Sequence, residues 1–163
     1  MTHAPVYVML CGLPASGKSS MRRYFKSLYK INFIVSSDDI IERECKKVSK
    51  TYNEGFQQFV GMAQELMWNG ILNSIKTELH ILDDQTNLTF YGRAKKLNII
   101  PYNYMKICYY FPKPDENEWQ RRLGSREGKV IPSDVLSNME KSFVMPSIRE
   151  GFDMVFTVNG VKL

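Results

Sequence analysis

A glycine-rich turn directly after an apolar run constrains this chain more than any other feature. The run is Val6–Cys11, and residues 12–19 have the pattern G-x-x-x-x-G-K-S. Backbone N–H groups in such a turn and at the start of the next helix converge on one point, where they bind phosphate. Lys18 is expected to reach the β- and γ-phosphates, and the Ser19 hydroxyl to bind Mg²⁺. The pattern therefore predicts a P-loop that binds a nucleoside triphosphate.

Size and composition indicate a globular enzyme or binding protein. With 163 residues, of which 44% are hydrophobic and 24% charged, we expect a single domain over residues 1–163. The apolar runs are far shorter than the ~20 residues that span a membrane, so no membrane partner is expected. No signal-peptide pattern precedes the first strand, and the three cysteines lack metal spacing. We therefore expect a reducing, cytoplasmic location, in the host cytoplasm if the protein is viral.

Strand and helix patterns alternate along the chain. This alternation predicts an α/β fold with a mostly parallel sheet of four to five strands and helices on both faces. Together with the P-loop, it is typical of the P-loop kinase fold. Residues 42–53 are polar and are expected to form a surface excursion. The predicted strands are 6–11, 33–35, 79–82, 104–111 and 152–158, and the predicted helices are 18–29, 54–74, 89–97, 116–123 and 135–143.

An aspartate pair at the end of the second strand is the candidate general base. Phosphoryl transfer to a hydroxyl needs a group that accepts the proton. Neither histidine suits this task, because His3 is in the terminal segment and His80 is at the wrong end of a strand. Either Asp38 or Asp39 could supply the carboxylate, and one of the two could instead cap a helix.

A second aspartate pair, Asp83 and Asp84, follows the third strand. In a parallel sheet this position is at the same edge as the P-loop. One of the two is expected to hold Mg²⁺ and its waters, with helix capping as the alternative.

A basic segment over residues 121–131 contains glycine and serine between two predicted helices. Arg122, Arg126 and Lys129 lie in it, and we expect it to be a small lid that places an arginine on the phosphates. A solvated run of charge is the alternative. Arg22, on the first helix, is expected to belong to a solvated face.

Another basic group, Lys46, Lys47 and Lys50, precedes Tyr52. The lysines could hold phosphates, and Tyr52 could stack a base. The net charge of +5 also suits an anionic partner such as a nucleic acid, or serves solubility alone.

The chain resembles the 5′-hydroxyl polynucleotide kinases, including those of phages. Residues 12–20 match the family's G-x-P-x-S-G-K-S-T motif, and residues 37–39 match a stretch whose first aspartate is the base. Residues 84–88 are similar to its acidic-Thr-Asn-Leu motif, and Arg126 falls on the lid arginine six residues before a proline.

The resemblance implies an ATP- and Mg²⁺-dependent kinase that phosphorylates the 5′-OH end of DNA or RNA. Asp38 would be the base, and Lys18 and Arg126 would complete the catalytic set. Ser19 and Asp84 would bind the metal. The acceptor-binding candidates are Asp39, Arg43, Thr86 and Asn87. The implied ATP contacts are Gly12, Pro14, Ala15, Ser16, Gly17, Lys18, Ser19, Ser20, Arg122 and Arg126.

Two departures from the family pattern keep other acceptors open. The family has an arginine for the acceptor's phosphate three residues after the base, where this chain has Ile41. The D-x-D-G-T phosphatase motif of the bifunctional members does not occur. The alternatives are a kinase for another hydroxyl, such as a hydroxymethylated pyrimidine in DNA or a free nucleoside, and a binding module that ATP switches.

Overall fold

The structure, a computed structural model, describes residues 4–159. Strands and helices alternate in the order that the sequence predicts, with one helix more than expected. The strands are β1 (Val6–Cys11), β2 (Phe33–Val35), β3 (Ile81–Asp83), β4 (Met105–Tyr110) and β5 (Met154–Thr157). The helices are α1 (Lys18–Leu28), α2 (Ser37–Lys47), α3 (Tyr52–Lys76), α4 (Phe90–Leu97), α5 (Glu116–Gly124) and α6 (Ser133–Ser142).

The five strands form one parallel sheet in the order β2-β3-β1-β4-β5. In the register, Tyr7 of β1 pairs with Ile81 of β3, and Val6 pairs with Met105 of β4. The chain order reverses at β1, because β3 lies on one side of it and β4 on the other. A crevice forms at such a point beyond the carboxyl ends of the strands. The predicted α/β class and parallel sheet are confirmed.

Both faces of the sheet are covered by helices. Every residue of β1 is buried, and its side chains alternate between two apolar clusters. Met9 packs in the cluster that contains Met67 and Ile71 of α3, whereas Leu10 packs in the cluster that contains Phe25 of α1. The sequence of β1 is therefore a continuous apolar run, as is typical of parallel strands buried on both faces.

The prediction of a polar surface excursion over residues 42–53 is wrong. Residues 37–47 form α2, and α3 already begins at Tyr52. Ser36 caps α2, because its side chain accepts a hydrogen bond from the Asp39 backbone N–H at 3.2 Å. Neither aspartate is therefore the N-cap, and both lie in the first turn, where a negative charge favours the helix dipole.

Helices α2 and α3 pack closely and shape one wall of the crevice. Ile41 and Cys45 of α2 are buried against Ala63 of α3. The side chain of Thr51 and that of Glu54 form a capping box that starts α3. Among residues 4–159, no helix has the length and apolar character needed to cross a membrane.

Candidate active site

The P-loop lies where the sequence predicts it, between β1 and α1. At Gly12 a Cβ atom would lie 2.6 Å from the carbonyl oxygen of Phe111, so only glycine fits there. The Trp119 indole N–H donates to the carbonyl of Pro14 at 2.8 Å and ties α5 to the loop. These contacts fix the path of the turn before any ligand binds.

Lys18 lies folded against the loop that precedes it. Its Nζ donates to the carbonyl oxygens of Gly12 at 2.8 Å and Leu13 at 2.7 Å. Burial lowers the pKa of Lys18 to about 8, although the charge of Asp84 works in the opposite direction. The ammonium group is thus held at the phosphate cradle in an environment that disfavours its charge until an anion arrives.

A cavity of about 490 Å³ opens beside the P-loop, and we call it the first cavity. Part of its lining comes from the P-loop and from the residues that follow β2 and β3. These residues are Pro14, Ala15, Lys18, Ser19, Ser37, Asp38, Asp84, Gln85 and Thr86. The other lining residues are Tyr52, Asn53, Phe56, Gln57, Arg126, Lys129, Val130, Ile131, Pro132, Val135 and Met139.

Asp38 lies at the boundary of this cavity, with both carboxylate oxygens engaged. The Tyr52 hydroxyl donates to Oδ1 at 2.7 Å, and Lys129 Nζ donates to Oδ2 at 2.5 Å. Arg126 Nη2 is 4.0 Å from the same Oδ2. Burial alone would raise the pKa of Asp38, but these partners, Lys129 first, outweigh it and lower the pKa. The carboxylate is therefore ionised at neutral pH, as a general base must be.

The predicted lid segment contacts the start of α3 and lines the first cavity. The Asn53 side chain donates to the Val130 carbonyl at 2.7 Å and accepts from the Val130 N–H at 2.9 Å. Within residues 4–159, Arg126 Nη1 is buried without a hydrogen-bond partner. A buried guanidinium nitrogen is costly to leave unpaired, so this atom suits an anionic ligand.

A second cavity, of about 610 Å³, adjoins the first. The residues that line both are Ser19, Asp38, Tyr52, Asp84, Arg126 and Lys129. The remaining lining of the second cavity comes mainly from α2 and the lid. Those residues are Arg22, Ser36, Asp39, Glu42, Cys45, Lys46, Lys50, Thr51, Glu127 and Gly128.

The two aspartates after β3 have different surroundings. Asp83 is fully buried and accepts hydrogen bonds from Tyr7 at 2.7 Å and Lys96 at 2.7 Å. Asp84 lines both cavities and pairs with Arg22 Nε at 2.9 Å. Burial raises the pKa of Asp84, against the attraction of Arg22. Asp84, and not Asp83, therefore faces the cavities beside the P-loop.

Some predicted site residues lie elsewhere. Arg43 is exposed and pairs with Glu44, also of α2. Arg122 pairs with Glu118 within α5, and Ser20 is exposed. None of these three side chains lines the first or the second cavity, and their ligand contacts stay predictions.

The side chain of Asn87 forms hydrogen bonds within the fold. Its amide donates to the Leu10 carbonyl at 2.7 Å and accepts from Lys96 at 2.6 Å. Of the four acceptor-binding candidates, Thr86 lines the first cavity and Asp39 the second.

Sequence reasoning missed three residues of this site. Arg22 was expected on a solvated face, but it bridges Asp39, at 2.8 Å, and Asp84. Gln85 lines the first cavity and donates to Ser37 Oγ at 3.0 Å. For Lys129 the sequence indicates only that it belongs to the basic lid segment. No sequence pattern predicts its ion pairs with α2. His80 accepts a hydrogen bond from the Val6 N–H, and His3 lies outside the described residues.

The residues present fit ATP and Mg²⁺. The unpaired Arg126 nitrogen, the Lys18 ammonium and the P-loop N–H groups suit a triphosphate. Ser19 and Asp84 supply oxygen ligands, which Mg²⁺ prefers, and phosphates usually complete its coordination. No group of three or more His, Cys, Asp or Glu side chains within residues 4–159 could hold a metal by itself.

The sequence matches the model of a known protein family. The model of the AAA_33 family, described as an AAA domain, matches residues 8–146. The chain belongs to this family. None of the curated proteins matches this AAA domain at a significant level.

Solved structures share the fold of this AAA domain at low sequence identity. The Pnkp1/Rnl/Hen1 RNA repair complex aligns with a TM-score of 0.64 at 19% identity, over 87% of this chain and 45% of that chain. A gluconokinase from Sinorhizobium meliloti aligns with a TM-score of 0.59 at 15% identity, over 99% of this chain and 86% of that chain.

A shikimate kinase from Acinetobacter baumannii, in complex with shikimate, aligns with a TM-score of 0.54 at 20% identity, over 97% of this chain and 86% of that chain. Together these likenesses show the fold of P-loop kinases. They do not select among the acceptors that these proteins use.

Proposed function

We propose that the protein is an ATP-dependent kinase that transfers the γ-phosphoryl group to the 5′-OH end of DNA or RNA. The observation that carries this proposal is the position of Asp38 in the same cavity as Lys18 and Ser19. The candidate base thus lies in the same cavity as the lysine proposed for the phosphates and the hydroxyl proposed for the metal. Such proximity of the reacting groups is the main requirement of phosphoryl transfer.

In the proposed reaction, the acceptor oxygen forms a bond to Pγ while the bond from Pγ to the β–γ bridging oxygen breaks. The hydroxyl proton passes to Asp38, and ADP leaves. Lys18 and Arg126 stabilise charge on the transferring group. Mg²⁺, held by Ser19 and Asp84, would neutralise charge on the phosphates when bound.

Three observations favour a nucleic-acid acceptor. The residues at 12–20, 37–39 and 84–88 follow the 5′-hydroxyl polynucleotide kinase pattern. One protein with the same fold comes from an RNA repair complex. Lys46 and Lys50 line the second cavity beside Asp38, where they could contact the phosphates of a strand.

One observation favours a different hydroxyl on a nucleoside or on DNA. Ile41 occupies the position at which the family has its acceptor-binding arginine, and its side chain is only 1% exposed. Nothing at that position can contact an acceptor phosphate. A hydroxymethylated pyrimidine in DNA, or a free nucleoside, is therefore the second candidate acceptor.

An acceptor screen with γ-labelled ATP tests the proposal. We expect label on 5′-OH DNA or RNA, and a loss of at least about 100-fold with Asp38→Asn and with Lys18→Met. Glu44→Gln, on the same helix but outside the lining of both cavities, is the control variant. Label on hydroxymethylated DNA or nucleosides alone would select the second candidate. Label on gluconate or shikimate, with none on nucleic acid, would overturn the proposal.

A further inference from the structure

The lid places an ammonium group on the carboxylate that we propose as the base. Lys129 Nζ contacts Asp38 Oδ2 at 2.5 Å and Glu42 Oε1 at 3.0 Å. It also lies 4.2 Å from the centre of the Tyr52 ring, and the hydroxyl of that tyrosine donates to Asp38 Oδ1. Each oxygen of the Asp38 carboxylate therefore already accepts a hydrogen bond.

This contact differs from an ordinary surface ion pair. The side chain of Lys129 is only 12% exposed, whereas those of Asp38 and Glu42 are 47% and 45% exposed, so the ammonium is shielded while water still reaches the two carboxylates. The backbone beside it is fixed, because Asn53 forms two hydrogen bonds with Val130 and its N–H donates to the Gly128 carbonyl at 3.3 Å. The ammonium that contacts Asp38 thus belongs to a segment whose backbone is hydrogen-bonded to Asn53 of α3.

Each oxygen keeps a second lone pair, but the Lys129 ammonium stabilises the negative charge of Asp38 and so makes the carboxylate a weaker base. Displacement of Lys129 therefore strengthens Asp38 as an acceptor for the proton of a hydroxyl. An acceptor that fills the first cavity gains binding energy that can drive this displacement. A single water molecule beside the γ-phosphate has no comparable source of energy.

We propose that Lys129 is a positioning residue that restrains Asp38 until an acceptor enters the first cavity, and so suppresses transfer of the γ-phosphoryl group to water. The proposal rests on the proposed function in that it takes Asp38 as the base. In the suppressed reaction, the water oxygen bonds to Pγ, the bond from Pγ to the bridging oxygen breaks, and Asp38 takes the proton. Glu42, which also pairs with the ammonium, helps to hold Lys129 in place.

Other charged groups also face Asp38 and remain when Lys129 is changed. Arg126 approaches from the lid at 4.0 Å, and Lys18 acts from the P-loop. Glu42 lies one turn along the same helix, and Tyr52 donates from α3. Loss of the Lys129 charge therefore weakens the restraint on Asp38 without leaving the carboxylate in an uncharged setting.

The test measures ADP release from ATP with no acceptor present, after ATP binding has been measured for each variant. We expect Lys129→Met to raise hydrolysis by about 10-fold, a fraction of what a general base contributes. Glu42→Gln should raise it less, and Lys129→Arg, which keeps the ion pair, should stay near the wild-type rate. Lys47→Met, an exposed lysine on α2 paired with Glu44, is the control for charge removal.

The double variant Asp38→Asn/Lys129→Met decides whether the extra hydrolysis uses the base. We expect it to return hydrolysis to the wild-type rate or below. The acid limb of the pH profile of hydrolysis should also move to higher pH in Lys129→Met, because the pKa of Asp38 rises when its main cationic partner is removed. A merely structural role of Lys129 would not move this limb.

Two outcomes would overturn the inference. One is hydrolysis by both Lys129→Met and Glu42→Gln at the wild-type rate, with both variants folded and binding ATP. The other is a rise that persists in the double variant. The hydrolysis assay uses no acceptor. Failure of the acceptor screen would therefore overturn the proposed function, while the hydrolysis rates of the variants would still test the role of Lys129.

Discussion

At the scale of single residues, Lys18 shows how the site is set for an anion. The fold buries its ammonium against two backbone carbonyls and lowers its pKa to about 8. A lysine with this pKa gains charge stabilisation when a phosphate arrives. Its protonation state then limits how well the phosphate binds.

ATP affinity is expected to fall as the pH rises through about 8. Below that pH Lys18 is protonated in the free protein and attracts the phosphates, whereas above it a proton must be taken up on binding. Calorimetric titration with ATP between about pH 7 and pH 9.5 measures this change. Lys18→Arg stays charged over that range and should give a flatter profile. An equal decline in both proteins would contradict the prediction.

At the scale of elements, the helix pair α2 and α3 brings Asp38 and Tyr52 together. The sequence shows the strand ends and the P-loop, because local patterns specify them. It does not show α2, since Ile40, Ile41 and Cys45 are the only apolar residues among many polar and charged ones in Ser37–Lys47. That helix depends on packing against α3, which no local pattern reports.

Gly55 allows this close packing. A Cβ atom there would lie 2.3 Å from Cys45 Sγ, a buried atom of α2. We expect Gly55→Ala to lower the free energy of unfolding by about 1–3 kcal/mol, because α2 must move away. Denaturant titration measures this loss, and kinase activity should fall with it as Asp38 is displaced.

Gly61, in the same helix, is the matched control. No atom lies within 4 Å of the position its Cβ would take, so Gly61→Ala should stabilise α3 by about 1 kcal/mol. If Gly55→Ala were as stable as Gly61→Ala, the packing argument would be wrong.

At the scale of the whole molecule, a buried polar network joins the sheet to α4 beneath the site. Asp83 of β3 accepts hydrogen bonds from Tyr7 of β1 and Lys96 of α4, and Lys96 also contacts Asn87 and Gln85. The sequence predicts that an aspartate at this strand end serves the metal. Only the three-dimensional arrangement separates a structural aspartate from the one that faces the cavities.

Two neighbouring substitutions should therefore have different effects. Asp83→Asn leaves the buried Lys96 without a counter-charge, so we expect a loss of about 3–5 kcal/mol and a Tm lower by roughly 10 °C. Asp84→Asn leaves Arg22 paired with Asp39, so the Tm should change little while the Mg²⁺ requirement of the reaction increases. Thermal unfolding and Mg²⁺ titration of the rate measure the two effects. A larger loss of Tm in Asp84→Asn would reverse our assignment.

The position of β1 in the sheet has a consequence for synthesis of the chain. This strand is made before the others but lies in the middle, and its partners are β3 and β4. Its apolar residues therefore leave the ribosome without a partner strand until residues 81–83 have been translated. During that interval a segment with this composition is prone to aggregation. The order that places the nucleotide site at the sheet's centre thus also prolongs the exposure of its most hydrophobic strand in the nascent chain.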